Sequence, residues 1–151
     1  MNKTNISSAL IDKFLSSKEL AIAGVSRNNK KFGYKVFDHF LKKGYTVYPI
    51  HPEAIEIDGI KCYKSAFDVP REIRNLFVVT PKHATDRLIK EALSRGYDMV
   101  WFQQKSETPL SIELANNNGL EVISQSCIFM FLDPTGGHAF HRFFMKLFGK
   151  I

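Results

Sequence analysis

A chain of 151 residues, 44% hydrophobic and 24% charged, has the size and balance of one globular domain that buries most of its apolar surface without a covalent staple. Its formal net charge of +6 suits an anionic partner, yet no arginine-rich arm, helix-turn-helix or aromatic RNA-binding signature accompanies it, so nucleic acid is not the expected ligand. No stretch approaches the ~20 apolar residues of a membrane span, the N-terminus lacks the flanks of a signal peptide, and Cys62 and Cys127 fit no metal spacing; a cytoplasmic protein with reduced thiols is expected.

In chain order, Ile6, Leu10, Ile11, Phe14 and Leu15 form a helical apolar stripe, an N-terminal helix expected on the edge or flank of a sheet. Leu20 to Val25 is a short apolar run of the kind a doubly buried strand needs, broken at Gly24 and by the polar tract Ser26 to Lys31. Val36, Phe37, Phe40 and Leu41 restore helical spacing. Lys42, Lys43 and Gly44 close that helix, with cations at its negative end and glycine beyond it. Tyr45 to Ile50 is the second strand, stopped by His51-Pro52. Asn75 to Thr80 is the third, ended by Pro81 before a helix from about His83 to Ser94 that Gly96 closes. Asp98 to Gln103 is the fourth. Thr108-Pro109 opens the next helix as an N-cap followed by proline at its first position, running to Asn118, and Leu120 to Ser124 is the fifth strand. Gly136-Gly137 then leads into a basic, aromatic segment whose Phe140, Phe144, Leu147 and Phe148 share one side of an amphipathic helix. That helix packs on the sheet or on Phe129 and Phe131, or else serves a homodimer, a protein partner or an anionic membrane.

Strands alternating with helices of about ten residues imply an α/β sandwich, a five-stranded parallel sheet covered on both faces, with expected order 3-2-1-4-5. One domain over 1–151 is expected, with a core at about 20–128 and a helical extension at about 133–149. Ligands of such sheets sit at the carboxyl ends of the strands. That rule selects a rim of Val25-Ser26-Arg27, Pro49 to Pro52, Thr80-Pro81-Lys82, Gln103-Gln104-Lys105 and Gln125-Ser126-Cys127. The turn after the first strand brings unpaired N–H groups and a helix N-terminus to one spot, a place for phosphate. The dinucleotide fingerprint is absent: only Gly24 and Gly33 are present, nine positions apart, and no acid follows the second strand. The same glycines also read as simple permission for tight helix-on-strand packing. The rim has no carboxylate pair and no Ser-His-Asp or Cys-His-Asp set, so no catalyst is visible. Cys127 reads more readily as a packing residue than as a nucleophile, and His138 with His141, lacking a third ligand, as ordinary histidines rather than a metal site.

Several blocks occur together: Gly24-x-Ser26, Gly33-x-x-Val36, Gly44-Tyr45-x-Val47-x-Pro49-Ile50-His51-Pro52, Val79-Thr80-Pro81, Trp101-Phe102-Gln103 and Gly119-Leu120-x-Val122 ahead of Cys127. In this order they resemble the small stand-alone CoA-binding domain proteins, and are similar to the nucleotide-binding domain that begins the succinyl-CoA ligase alpha subunit. The resemblance covers about Leu20 to Ile128. It implies a Rossmann-like three-layer domain holding coenzyme A or an acyl-CoA in the rim. Val25, Ser26 and Arg27 would then line the first turn against the diphosphate, with Lys31 available to a phosphate. Pro49 and His51 would lie beside the adenosine, Val79, Thr80 and Pro81 on the adenine, and Gln103 and Gln104 nearer the pantetheine. The family often has Arg-Cys-Pro after the fifth strand; here Ser126, Cys127 and Ile128 stand there. The match implies a binding or regulatory module, since such proteins lack the ligase's phosphohistidine segment and partner subunit. An NAD(P)-dependent oxidoreductase and a nucleic-acid accessory protein are the alternatives.

Overall fold

The structure, a computed structural model, describes residues 8–132. The expected C-terminal helix, with His138 and His141, lies outside the described residues, as does Ile6. The elements run α1 (Ser8–Ser16), β1 (Glu19–Ala23), α2 (Phe32–Lys42), β2 (Thr46–Ile50), β3 (Glu56–Ile57), β4 (Ile60–Lys61), a 3-10 turn (Ala66–Asp68), β5 (Asn75–Val78), α3 (Lys82–Arg95), β6 (Met99–Gln103), α4 (Pro109–Asn117), β7 (Glu121–Ser126) and α5 (Phe129–Leu132). All five principal strands are parallel, as expected for an α/β Rossmann-like domain.

Side chains alternate across the sheet because successive strand residues face opposite ways. Leu20, Ile22, Phe77, Trp101 and Ile123 point to one face, where Phe14 of α1 and Phe37 and Phe40 of α2 cover them. Phe14 meets Trp101 edge-on at 5.4 Å, and Phe40 meets Phe77 at 5.6 Å. Ala21, Ala23, Leu76, Val78, Val100 and Phe102 face the other side, under Leu88, Ile89 and Ala92 of α3 and Ala115 of α4. The N-terminal helix thus sits on a sheet face, tied by Asn75 Nδ2 donating to the Phe14 carbonyl at 3.2 Å.

Two helix ends follow from local chemistry. Thr108 caps α4 through a reciprocal pair, its Oγ1 accepting from Ser111 N–H at 2.9 Å and its own N–H donating to Ser111 Oγ at 2.9 Å. Gly96 closes α3 at φ +92°, where its N–H donates to the Ala92 carbonyl at 2.9 Å.

The strand order differs from the expected 3-2-1-4-5. The sheet runs β2-β1-β5-β6-β7, so the third principal strand pairs with the first rather than adding outside the second. The cause lies on the outer edge of β2. Pro49 has no N–H to offer there, and its carbonyl already accepts from Tyr63 N–H at 2.8 Å. His51 N–H donates to the Tyr63 carbonyl at 2.8 Å, so one bridging residue occupies the edge that another strand would need. Only the far side of β1 remains, and β5 takes it. The reversal of strand order, where ligands bind in such sheets, therefore falls between the carboxyl ends of β1 and β5. The short antiparallel pair β3–β4 fills the crossover from β2, a hairpin too small to leave a periodic signal.

Candidate functional site

Three backbones converge beyond the carboxyl ends of β1 and β5. Gly24 sits at φ +101°, and a Cβ there would lie 2.5 Å from the carbonyl carbon and oxygen of Val79. A Cβ on Gly33, in the first turn of α2, would lie 2.1 Å from the Gly24 carbonyl oxygen. Both positions therefore require glycine for packing, and by packing they bring the start of α2 against the end of β1. The intervening turn is tied by its own side chains. Ser26 Oγ accepts from Asn28 N–H at 3.0 Å, and Asn28 Oδ1 accepts from Lys30 N–H at 2.9 Å. Helix α2 then starts after Lys31 without a side-chain cap, leaving its positive end to an anion.

Two clefts flank this crossing, Gly24 lining one and Gly33 with Val79 the other. The first, about 450 Å³, is lined by Gly24, Val25, Ser26, His51, Thr80 and Pro81 of the residues selected from sequence. The second, about 370 Å³, is lined by Gly33, Val79, Gln103 and Gln104, with Phe32, Lys105 and Ser106. Both volumes are in the range of small-molecule sites.

Hydrogen bonds fix the polarity of the first cleft. His51 Nδ1 accepts from the backbone N–H of Glu53 at 3.0 Å and of Ala54 at 2.9 Å, so the ring proton resides on Nε2. Burial, together with nearby Arg27, holds the His51 pKa below the usual imidazole value against the opposing pull of Glu53. A neutral imidazole offering Nε2–H is the outcome. Thr85, fully buried, donates to the Ser106 carbonyl at 2.8 Å and stands 2.7 Å from Thr80 Oγ1. One hydroxyl proton cannot serve both contacts, so Thr80 donates to Thr85 and keeps its lone pairs for the cleft. In the second cleft Gln103 is 1% exposed; its Oε1 accepts from Ile128 N–H at 3.2 Å, and its side-chain amide interacts with the buried Cys127 thiol.

The remaining selected residues stand apart from both clefts. Arg27 reaches outward to Glu53 at 3.2 Å, an exposed pair. Lys31 is the N-cap of α2, and Pro49 is buried within β2. Ser126 accepts at its carbonyl from Trp101 Nε1–H at 3.2 Å. Cys127 is 4% exposed, and burial pushes its thiol pKa up, with the Gln103 amide and the N–H groups of Phe129 and Met130 opposing.

The first cleft also contains residues that sequence reasoning missed: Lys64, His83, Arg87 and Glu91. His83 and Arg87 lie one helical turn apart just beyond Thr80-Pro81, a spacing that could have marked them. Nothing local marks Lys64, which arrives through the pairing of Tyr63 with β2. The carboxylate of this cleft, Glu91, is engaged by Ala66 N–H at 3.3 Å and Arg87 Nε at 3.4 Å. The described residues of the clefts thus suit an extended anionic ligand and show no nucleophile paired with a base.

A family model described as the CoA binding domain matches residues 18–133. The chain is 27% identical over 130 residues to the alpha subunit of an ADP-forming acetate–CoA ligase II of Pyrococcus furiosus, covering 79% of this chain and 28% of that protein. It therefore spans little more than a quarter of that relative. Among solved structures it is similar to a conserved hypothetical protein from Pyrococcus furiosus, at 31% identity and TM-score 0.70, covering 73% of this chain and 95% of that one. A hypothetical protein from Pyrococcus horikoshii OT3 matches at 27% identity and TM-score 0.79, covering 89% and 97%.

Proposed function

The chain belongs to the CoA binding domain family, and from that membership we propose that it binds coenzyme A or an acyl-CoA as a non-catalytic or regulatory module. The observation that carries this reading is the pair of clefts flanking the Gly24–Val79–Gly33 crossing. A ligand with a nucleotide at one end and a flexible arm at the other suits two clefts on either side of a turn that ends at an uncapped helix start. The adenosine would occupy the first cleft, within reach of the Nε2–H of His51 and the lone pairs of Thr80. The diphosphate would lie over the β1–α2 turn, near Ser26, and the pantetheine arm would enter the second cleft, along Val79 and Gln104. The ligase relative is named for an activity on coenzyme A, and the shared part, 28% of it, supports ligand binding rather than the whole reaction.

Native mass spectrometry of freshly purified protein, paired with thermal unfolding in the presence of CoA or NAD, tests the reading. CoA at about a hundredfold over its Kd is expected to stabilise the fold by about 2.7 kcal/mol and raise Tm by about 5–10 °C. Stabilisation by NAD with none by CoA would overturn it.

A further inference from the structure

The charge of the first cleft comes from residues other than those at the phosphate turn. Lys64 and Arg87 line it from different elements, and neither belongs to the β1–α2 turn. Their placement is built. Tyr63 is fixed to β2 by two backbone bonds of 2.8 Å, which anchors the neighbouring Lys64. Glu91 Oε1 accepts from Ala66 N–H at 3.3 Å, joining the segment that carries Lys64 to the helix that carries Arg87. Glu91 Oε2 meets Arg87 through Nε at 3.4 Å, which leaves the two Nη groups of the guanidinium for a ligand. Among the described residues Lys64 has no carboxylate partner.

Resting on the reading that the site takes CoA, we propose that Lys64 and Arg87 hold a ribose phosphomonoester, so that the site selects 3′-phosphorylated coenzyme A over its dephospho form. The site then has two anion stations: the β1–α2 turn with the start of α2, and the Lys64–Arg87 pair. NAD and ADP carry a diphosphate alone and would fill one. Coenzyme A carries a diphosphate and a separate 3′-phosphate, and fills both. An arginine fork and a lysine point charge are the usual partners of a dianionic phosphate. NADP, with its 2′-phosphate, is the other source of the same chemistry.

The test is calorimetric titration of the full chain with CoA, 3′-dephospho-CoA and NADP, for the wild type and for the Lys64→Gln/Arg87→Gln variant. Both side chains are exposed, so the variant is expected to fold, and circular dichroism checks it. The wild type is expected to bind CoA at least about tenfold tighter than dephospho-CoA, as a charge-assisted contact would give, and the variant to bind both at the weaker affinity. Equal binding of the two ligands by the wild type, or a gap that survives in the variant, overturns this inference and leaves the CoA reading standing. Binding of neither CoA nor dephospho-CoA overturns both. NADP binding tighter than CoA would reject coenzyme A as the ligand.

Discussion

Gly33→Ala isolates the crossing on which the site depends. Gly33 lies in the first turn of α2, where alanine gains up to about 1 kcal/mol of helix propensity. The added methyl would stand 2.1 Å from the Gly24 carbonyl oxygen and 3.1 Å from its carbon, and a backbone group cannot rotate aside. Relief requires the start of α2 to move by roughly 1 Å or more, to an ordinary nonbonded separation. Overpacking of this kind costs about 1–3 kcal/mol, so after the propensity gain the net loss is about 0–2 kcal/mol and Tm falls by at most about 8 °C. Ligand binding is expected to suffer more distinctively, by about tenfold or more, the equivalent of one charge-assisted hydrogen bond. Gly44→Ala supplies the contrast. That residue has φ +88° and open space around it, so alanine there costs about 1–2 kcal/mol through the left-handed backbone alone. Calorimetric CoA titration alongside thermal unfolding separates the two variants. A Gly33→Ala protein that binds CoA like the wild type, or a Gly44→Ala protein that loses as much binding, would refute the reasoning.

Arg95 is 4% exposed, donates to the carbonyls of Val69, Pro70 and Ile73, and lies 3.8 Å over the Tyr97 ring. Arg95→Met keeps the stem but strands the Val69 and Ile73 carbonyls, while that of Pro70 keeps the Ile73 N–H, so urea denaturation should show a loss of about 3 kcal/mol; a loss under about 1 kcal/mol would contradict the clamp. The folded pKa of His51 lies below the ordinary 6.5, so its contribution to stability is fully present above about pH 6.5 and is lost as the pH falls through the folded value. Nitrogen-detected NMR should find the Nε2–H tautomer, and a folded-state titration midpoint at or above 6.5 would be inconsistent with the two amide bonds at Nδ1. Burial raises the pKa of both Cys62 and Cys127, so neither thiol should react appreciably with an aromatic disulfide reagent at pH 7.5 until the chain is unfolded. Rapid labelling of Cys127 in the native protein would revive it as a nucleophile.

Much of the fold is legible in the chain because its signals are local. The apolar run at Leu20–Ala23, the Thr108-Pro109 cap and the helical spacing of Val36, Phe37 and Phe40 each state an element within a few residues, and the alternation of elements states a covered parallel sheet. The glycines were legible as a crossing but not as to which role applied. The structure shows close backbone packing at both Gly24 and Gly33, and that packing shapes the turn after β1.

By itself, then, the sequence determined the α/β class, the helix ends and the turn after the first strand, because each rests on bonds or spacings among near neighbours. Tertiary structure alone decided the strand order and the charged wall of the first cleft. Whether β5 lies beside β1 depends on Tyr63 closing an edge that Pro49 cannot complete, and whether Lys64 and Arg87 share a cleft depends on Ala66 bonding to Glu91. Contacts between residues 14 and 25 positions apart have no periodic trace in the chain, and they decide which cations line the first cleft.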